Sequence, residues 1–297
     1  MKKVIVIADS TCDLSKELVE QYNIQIVPLH LSVEGDETDY LDGITLTTEG
    51  MYELVDKYDK LPKTGARNIN EFIEDFRPHI ENGDDIIYTG IASALSSSFN
   101  NACLAAKEFP EGRIELVDSM SLSAGSGLLA IKMCEYRDKG YNVHQIAEKI
   151  RHIVPNVVVQ SCVNTLDYLY KGGRCKAATK ALAHIFKIHP VVRIKEGAIH
   201  IYKLTRGKFQ KGLDVQIEDF KEDLINHDVD LSTITVIDAY RTEGDENYLY
   251  EKVKELLDKQ KEPYRIHRLK AGCVISAHCG PRTTGLYYIK YSECKIK

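Results

Sequence analysis

Hydrophobic residues at the start of the chain form a continuous run followed by a run with helical spacing. The segment "KKVIVIA" at residues 2–8 is uninterruptedly apolar after its two lysines, which predicts a strand buried on both faces. Leu14, Leu18 and Tyr22 then recur at the spacing of one helix face. A strand followed by a helix is therefore the first predicted unit of the chain.

The same alternation continues through the first half of the chain. Further strands are predicted over residues 24–33, 84–90 and 113–118, and helices over residues 51–58, 70–80, 101–107 and 125–137. A strand and helix rhythm of this kind is typical of a parallel sheet with helices on both faces. We therefore predict a Rossmann-like α/β domain over residues 1–155.

The rhythm changes near Pro155. Residues 156–163 read as a strand, and the runs "HPVVRIKEG" and "AIHIYKL" meet at Glu196-Gly197 as a predicted hairpin. The runs "STITVIDA", "YRIHRL" and "TGLYYIKY" predict three more strands, with a helix over residues 246–259. Residues 156–297 are therefore predicted to form a second domain of the α+β class.

Composition narrows the functional classes. The chain has 297 residues, of which 43% are hydrophobic and 28% charged, with a net charge of -5, so a folded soluble protein without a nucleic-acid surface is expected. No apolar run is long enough for a membrane span, and residues 1–8 are too short for an export signal, which predicts a cytoplasmic location. Eight cysteines without CxxC spacing predict free thiols and no metal site.

Small polar residues cluster in the turns after three of the predicted strands. These turns are residues 9–11, 93–98 and 118–123, which hold mostly Ser, Thr and Asp. The carboxyl ends of parallel strands share one edge of a sheet, where ligands bind, and the helices that follow offer unpaired N–H groups. The pattern favours an anion such as phosphate or carboxylate, although helix capping alone explains any single turn.

Two further patterns leave other functions open. The segment "GSGLLA" at residues 125–130 matches the dinucleotide pattern GxGxxA only weakly, because several residues separate it from its strand. Close helix packing explains glycines such as Gly125 and Gly127 more often than a bound dinucleotide does. Cys12 lies near a predicted helix start, where a thiol pKa can fall. A nucleotide-binding module, or a hydrolase or acyl transferase using Ser96 or Cys12 with His278, are therefore alternative hypotheses.

Two loops of the second half carry candidate ligand-binding side chains. Gly172-Gly173 allow a backbone route closed to other residues and would present Arg174 to a carboxylate or phosphate. In "AHCGPRTTG", His278 lies beside a rigid turn and could hydrogen-bond an anion. A solvated arginine and a structural histidine are the ordinary alternatives.

Several motifs, taken in order, resemble one known family. "ADSTCDLS", "LSSSFNNA", "VDSMSLSAGSGLL", "LDYLYKGGR" and "HCGPRTTG" together are similar to the DegV family of bacterial fatty-acid-binding proteins. The resemblance implies a two-domain α/β carrier with one long-chain fatty acid in a tunnel near the domain junction and no other cofactor. It also implies no catalysis by the carrier itself and presentation of the carboxylate to an ATP-dependent fatty acid kinase for phospholipid metabolism.

The resemblance also implies site residues. The family's Thr-Ser-Gln-Pro-Ser loop falls on residues 64–68 and its Leu-Ser-Gly-Thr turn on residues 95–98, which makes Thr64 and Ser96 the expected carboxylate ligands. Residues 65–68 depart from the family pattern, as does Ser97 in place of a glycine. The expected supporting or kinase-facing positions are Asp9, Ser10, Ser97, Ser98, Arg174, His278 and Arg282. Ile91, Leu122 and Leu128 are guesses for the tunnel wall.

Overall fold

The computed structural model describes residues 3–175 and 188–291. Its first sheet has four parallel strands in the order β2-β1-β6-β7. These strands are β1 (Val4–Asp9), β2 (Ile24–Val27), β6 (Asp85–Thr89) and β7 (Ile114–Leu116). Every residue of β1 is buried, as its continuous apolar run predicts for a central strand covered on both faces.

The helices of the first half alternate with these strands. They are α1 (Lys16–Tyr22), α2 (Thr48–Tyr58), α3 (Ile69–Glu81), α4 (Ser98–Ala106), α5 (Ala124–Asp138) and α6 (Val143–Ile153). Side chains at the N-caps fix several helix starts; Asn68 and Glu71, for example, form a reciprocal capping box at α3. The α/β class predicted for this half is confirmed.

The predicted strand over residues 24–33 is wrong as a single element. The chain breaks at Pro28, and β3 (His30–Ser32) pairs instead with β4 (Tyr40–Leu41) and β5 (Lys63–Gly65) in a small antiparallel sheet. Proline has no N–H to donate to a ladder, which explains the break. This small sheet carries Thr64, opposite Leu31.

The second sheet has six strands in the order β10-β9-β8-β13-β11-β12 and mixes parallel with antiparallel pairs. The strands are β8 (Val157–Cys162), β9 (Ile188–Lys195), β10 (Ala198–Arg206), β11 (Val229–Asp238), β12 (Ile266–Lys270) and β13 (Thr284–Lys290). Strands β9 and β10 form the predicted hairpin, with Glu196 and Gly197 both at positive φ in its turn.

Among the described residues, four helices accompany this sheet: α7 (Asp167–Gly172), α8 (Gln210–Ile225), α9 (Asp245–Asp258) and α10 (Cys273–Cys279). Only α9 was predicted; α10 lies in the segment for which the sequence indicated a loop around His278. A short helix of seven residues has too few turns for a clear hydrophobic period.

One hydrophobic core joins the two sheets. It includes Val6 of β1, Leu128 of α5 and Tyr287 of β13, all buried. Helix α5 contacts β1 on one side and β8, β11 and β13 on the other. The mixed-sheet second half thus packs directly on the first half, while the boundary at residue 155 stays a prediction.

Candidate functional site

A cavity of about 480 Å³ lies where the two halves meet. The second half of the chain contributes to its apolar lining with Val159, Val163, Val192, Ile194, Ile199 and Ile237. Its polar lining includes Thr64, Ser96, Ser97, Asn100, Arg174 and His278. The cavity therefore combines an apolar interior with a cluster of hydrogen-bonding groups, as a site for an amphipathic small molecule would.

Thr64 and His278 bring the two halves of the chain into contact in this cluster. Thr64 is held in β5, and His278 lies in the last turn of α10. The Thr64 Oγ1 and His278 Nε2 atoms are 2.9 Å apart, a hydrogen-bond distance. The sequence predicted both residues for the site, and the structure brings them together although they are 214 positions apart.

The imidazole of His278 is neutral. Burial and the nearby Arg174 charge lower the pKa of His278 from 6.5 to about 4. A neutral ring carries one N–H, and the buried Nδ1 atom has no hydrogen-bond partner within residues 3–175 and 188–291. Because a buried N–H is rarely left unpaired, we place the hydrogen on Nε2, where it donates to Thr64. The Thr64 hydroxyl then keeps its own hydrogen for a ligand.

The Gly-Gly-Arg loop makes room for this ring. A Cβ atom on Gly172 would lie 2.4 Å from His278 Nδ1, so only glycine fits beside the imidazole. Gly173 adopts φ +69° where α7 ends, which is the left-handed conformation that favours glycine. Arg174 follows at the exposed rim of the cavity and donates from Nη1 to the Gly172 carbonyl at 2.7 Å.

The serine turn before α4 forms the facing part of the cluster. The Ser96 hydroxyl lies 3.3 Å from Ser98 Oγ and accepts the Ser98 N–H at 3.2 Å. Ser98 itself is buried outside the cavity lining and accepts the Arg67 N–H at 3.2 Å. Ser98 therefore ties the turn that carries Ser96 to the loop that follows Thr64.

Arg67, one of the departures from the family pattern, fixes that loop. Its guanidinium donates two hydrogen bonds to Asp75 at 2.6 and 2.9 Å and a third to the Pro28 carbonyl at 3.2 Å. The Arg67 carbonyl accepts from the Asn101 side chain at 2.8 Å. The guanidinium is thus committed to protein partners and braces the Thr64 loop from behind.

The residues at the end of β1 also act from behind the cavity wall. The Asp9 carboxylate accepts the Ile91 N–H at 2.9 Å, and the Ser10 hydroxyl accepts the Leu29 N–H at 3.1 Å. Ile91 and Leu29 line the cavity, whereas Asp9 and Ser10 do not.

Two expected positions lie away from the lining. Arg282 donates to Asp245 at 2.7 Å and pairs with Glu243 at 3.0 Å, so its charge is used within the second half of the chain. Leu128 is buried in the core of α5 rather than at the cavity, while the other two guesses, Ile91 and Leu122, do line it.

The structure does not place Ser96 or Cys12 for catalysis together with His278. In the hydrogen bonds of the described residues, His278 contacts Thr64 rather than Ser96 or Cys12. Cys12 is buried, and burial raises the pKa of its thiol, which opposes thiolate formation.

The glycines of the dinucleotide-like pattern are packing residues. A Cβ atom on Gly125 would lie 2.4 Å from Val159 Cγ2, and one on Gly127 would lie 2.6 Å from the Cys12 carbonyl oxygen. Both glycines allow α5 to approach its neighbours closely, and this explains the pattern without a bound nucleotide.

Several lining residues escaped the sequence reasoning. Asn100 extends the polar cluster into α4, and further hydroxyls come from Ser123 just before α5, from Ser161 in β8 and from Tyr287 in β13. Ser123 lay in a turn already singled out. Ser161 and Tyr287 lie in apolar strand segments, and only the pairing of β8 with β13 brings them together.

Residues 3–175 and 188–291 contain neither a candidate metal cluster nor a helix that could span a membrane. No group of three or more His, Cys, Asp or Glu side chains is placed to hold a metal ion. Within the same ranges, none of the helices has both the length and the apolar character to cross a bilayer.

Comparison with known proteins assigns the fold. A family model described as "Uncharacterised protein, DegV family" matches residues 3–291. This chain belongs to the DegV family. A DegV domain-containing protein of Clostridium perfringens is 29% identical over 290 residues, covering 98% of this chain and 99% of that protein. The family resemblance expected from the ordered motifs is confirmed.

Solved DegV structures share the whole architecture. A DegV family protein of Thermus thermophilus, described by its fatty acid binding, is 25% identical with a TM-score of 0.84, covering 97% of this chain and 99% of that one. A stearic acid-binding protein of Eubacterium ventriosum is 27% identical with a TM-score of 0.83, covering 98% of both chains. These DegV neighbours are fatty-acid-binding proteins.

Proposed function

We propose that this DegV protein binds a long-chain fatty acid in the cavity, with the carboxylate at the Thr64 and Ser96 end. The observation that carries the proposal is the cavity itself, in which two hydroxyl side chains and a neutral histidine meet beside an apolar wall. The fatty acid binding of the Thermus thermophilus and Eubacterium ventriosum proteins supports it.

The apolar wall supplies the affinity. A C16 acyl chain has about 14 methylenes, and burying each one at ~0.8 kcal/mol makes roughly 11 kcal/mol of transfer free energy available. Loss of translational and conformational freedom on binding offsets part of this gain. Hydrophobic transfer of the chain is therefore sufficient for tight binding if the carboxylate is satisfied.

The polar cluster satisfies the carboxylate. An unpaired carboxylate in an apolar cavity is too costly to bind, so its oxygens need donors. Because His278 donates to Thr64, the Thr64 O–H is free to donate, and the Ser96 O–H can rotate from Ser98 towards a ligand. Arg174 at the rim adds positive charge on the same side of the cavity.

Mass spectrometry of the intact protein tests this proposal. Protein purified from cells under native conditions is expected to carry the added mass of one fatty acid, and added palmitate or oleate is expected to raise its melting temperature. A bare mass together with no stabilisation by either acid would contradict the proposal.

We further propose that the protein acts as a cytoplasmic carrier rather than an enzyme and presents the bound carboxylate to an ATP-dependent fatty acid kinase. The rim position of Arg174, close to His278 yet exposed, supports a role in that encounter. Acyl phosphate is expected only when kinase and ATP are both added. Turnover of acyl esters by the protein alone, lost in Ser96→Ala, would instead support the hydrolase hypothesis.

A further inference from the structure

A row of buried polar side chains lies beside the apolar lining, where strand pairing sets Ser161 opposite Val192. The Ser123 hydroxyl donates to or accepts from Asp13 Oδ2 at 2.5 Å, and the Tyr287 hydroxyl lies 2.8 Å from Ser161 Oγ. Ser123 and Tyr287 both line the cavity, so the two hydrogen-bonded pairs reach the same cavity. These four side chains, Asp13, Ser123, Ser161 and Tyr287, form the polar row.

Three members of this row reach the cavity. Ser123, Ser161 and Tyr287 all contribute to its lining, whereas Asp13 lies behind them. Strand pairing sets Val159 opposite Tyr287 and Ser161 opposite Gly285, so these side chains share the face that looks towards α5.

The backbone around the row is shaped to hold it. A Cβ atom on Gly285 would lie 2.5 Å from Ser161 Oγ and 2.7 Å from Tyr287 Cε1, so a side chain there would displace the pair. Ser123 adopts φ +55° and ψ -148°, a conformation that residues other than glycine rarely take. Such strain persists only where the surrounding structure enforces it.

The Ser161 hydroxyl has room for one more hydrogen bond. In one state the Ser161 hydroxyl donates to Tyr287, and Ser161 is left with acceptor lone pairs. In the other state Tyr287 donates to Ser161, and Ser161 is left with a free O–H. In the hydrogen bonds of residues 3–175 and 188–291, Ser161 Oγ has Tyr287 as its partner, so one position stays open in both states.

We propose that this open position makes the cavity select an acyl chain that carries a hydroxyl group along its length. A hydroxyl both donates and accepts, so it can pair with Ser161 in either state of the row. An unsubstituted chain leaves that position unused. This inference rests on the proposed fatty acid binding and adds to it the class of acyl chain.

Competition binding with matched acids tests the inference. The probes are stearic acid, oleic acid and hydroxystearic acids with the hydroxyl at different carbons. Oleic acid is the control for chain shape, because its double bond changes the shape of the chain without adding an O–H group. At least one hydroxystearic isomer is expected to lose about tenfold in affinity relative to stearic acid in Ser161→Ala, since its hydroxyl is left unpaired. Tyr287→Phe is expected to reduce the ratio of hydroxystearic to stearic acid affinity less strongly.

Thr283→Val is the matched control. Thr283 also lines the cavity, but its hydroxyl donates to the carbonyls of Cys279 and Gly280, both at 3.0 Å. This variant is expected to leave the ratio of hydroxystearic to stearic acid affinity unchanged. If every isomer keeps its wild-type ratio in Ser161→Ala while stearic acid still binds, the inference is overturned and the proposed function stands. If no acid binds the wild-type protein, the proposed function itself fails.

Discussion

The two ends of the short helix α10 differ in how fully their polar partners are paired. At its start, Asp13 accepts the Gly272 N–H and Asp42 accepts the Cys273 N–H, both at 2.8 Å. At its last turn, His278 contacts Thr64 and leaves the Thr64 hydroxyl with a hydrogen to give. Both ends join the two halves of the chain, but only the Thr64 hydroxyl at the last turn has a hydrogen to offer to the cavity.

We therefore expect one end of this seven-residue helix to affect stability and the other end to affect ligand binding. The second oxygens of the two carboxylates are also used, by Ser123 at 2.5 Å and Ser10 at 2.8 Å. Groups that are paired within the protein support the fold, whereas a hydroxyl with a spare hydrogen in a cavity can take up a ligand. Substitutions at the two ends should therefore affect different measurements.

The largest expected effect is on stability at the start of α10. Asp42→Ala leaves the Cys273 N–H and the Ser10 hydroxyl without their acceptor, which is expected to lower the free energy of unfolding by about 2–4 kcal/mol. Urea unfolding measures it, and Asp42→Asn, which keeps one acceptor, should lose less. An Asp42→Ala protein as stable as wild type would contradict the proposed division between the two ends.

The next largest expected effect is on palmitate binding, at the last turn of α10. Thr64→Val keeps the shape of the side chain but removes its O–H, and it is expected to weaken palmitate binding about 10- to 100-fold because a hydrogen bond to a charged group is lost. Titration calorimetry measures the change, and Thr64→Ser should restore most of the affinity. Equal palmitate affinities for Thr64→Val and wild type would refute the role of this hydroxyl.

A smaller effect concerns the pH dependence of stability. The folded protein holds the pKa of His278 at about 4, against 6.5 for an ordinary histidine, so the unfolded chain binds the extra proton more readily. The contribution of His278 to the free energy of unfolding is therefore fully present above pH 6.5 and is lost as pH falls towards 4.

At pH 5 the loss for ligand-free protein is expected to be about 1–2 kcal/mol. His278→Gln should remove this part of the pH dependence, which urea unfolding at several pH values measures. The same fall in stability between pH 7 and 5 in both proteins would show that another group is responsible.

The smallest expected effect on lipid binding is that of Arg174→Ala. Because the Arg174 side chain is exposed and hydrogen-bonds only the neighbouring Gly172 carbonyl among the described contacts, bound fatty acid should be retained within about twofold of wild type. Acyl phosphate formation with added kinase and ATP should fall. Loss of the lipid from this variant would place Arg174 among the carboxylate ligands instead.

The sequence predicts the elements with strong periodicity and misses those fixed by distant contacts. The apolar run of β1 and the strand and helix alternation of the first half predict the parallel sheet. Residues 24–33 also look like one strand, because local hydrophobicity does not show that Pro28 redirects the chain into a second sheet.

The candidate site shows the same limit. Thr64, Ser96 and His278 followed from the family resemblance, and the structure gathers them at one cavity. Ser161 and Tyr287 were missed because each is a single polar residue in an apolar strand, and their meeting depends on the register of β8 with β13. Register of this kind is set by pairing across 126 residues rather than by local pattern.

The most direct test of the account uses palmitate that is isotope-labelled at its carboxyl carbon. Nuclear magnetic resonance of the complex should show a bound carboxyl resonance distinct from that of free palmitate, shifted in Ser96→Ala and Thr64→Ser and unmoved in Thr283→Val. A bound resonance that is identical in all four proteins would contradict the central claim that Thr64 and Ser96 hold the carboxylate.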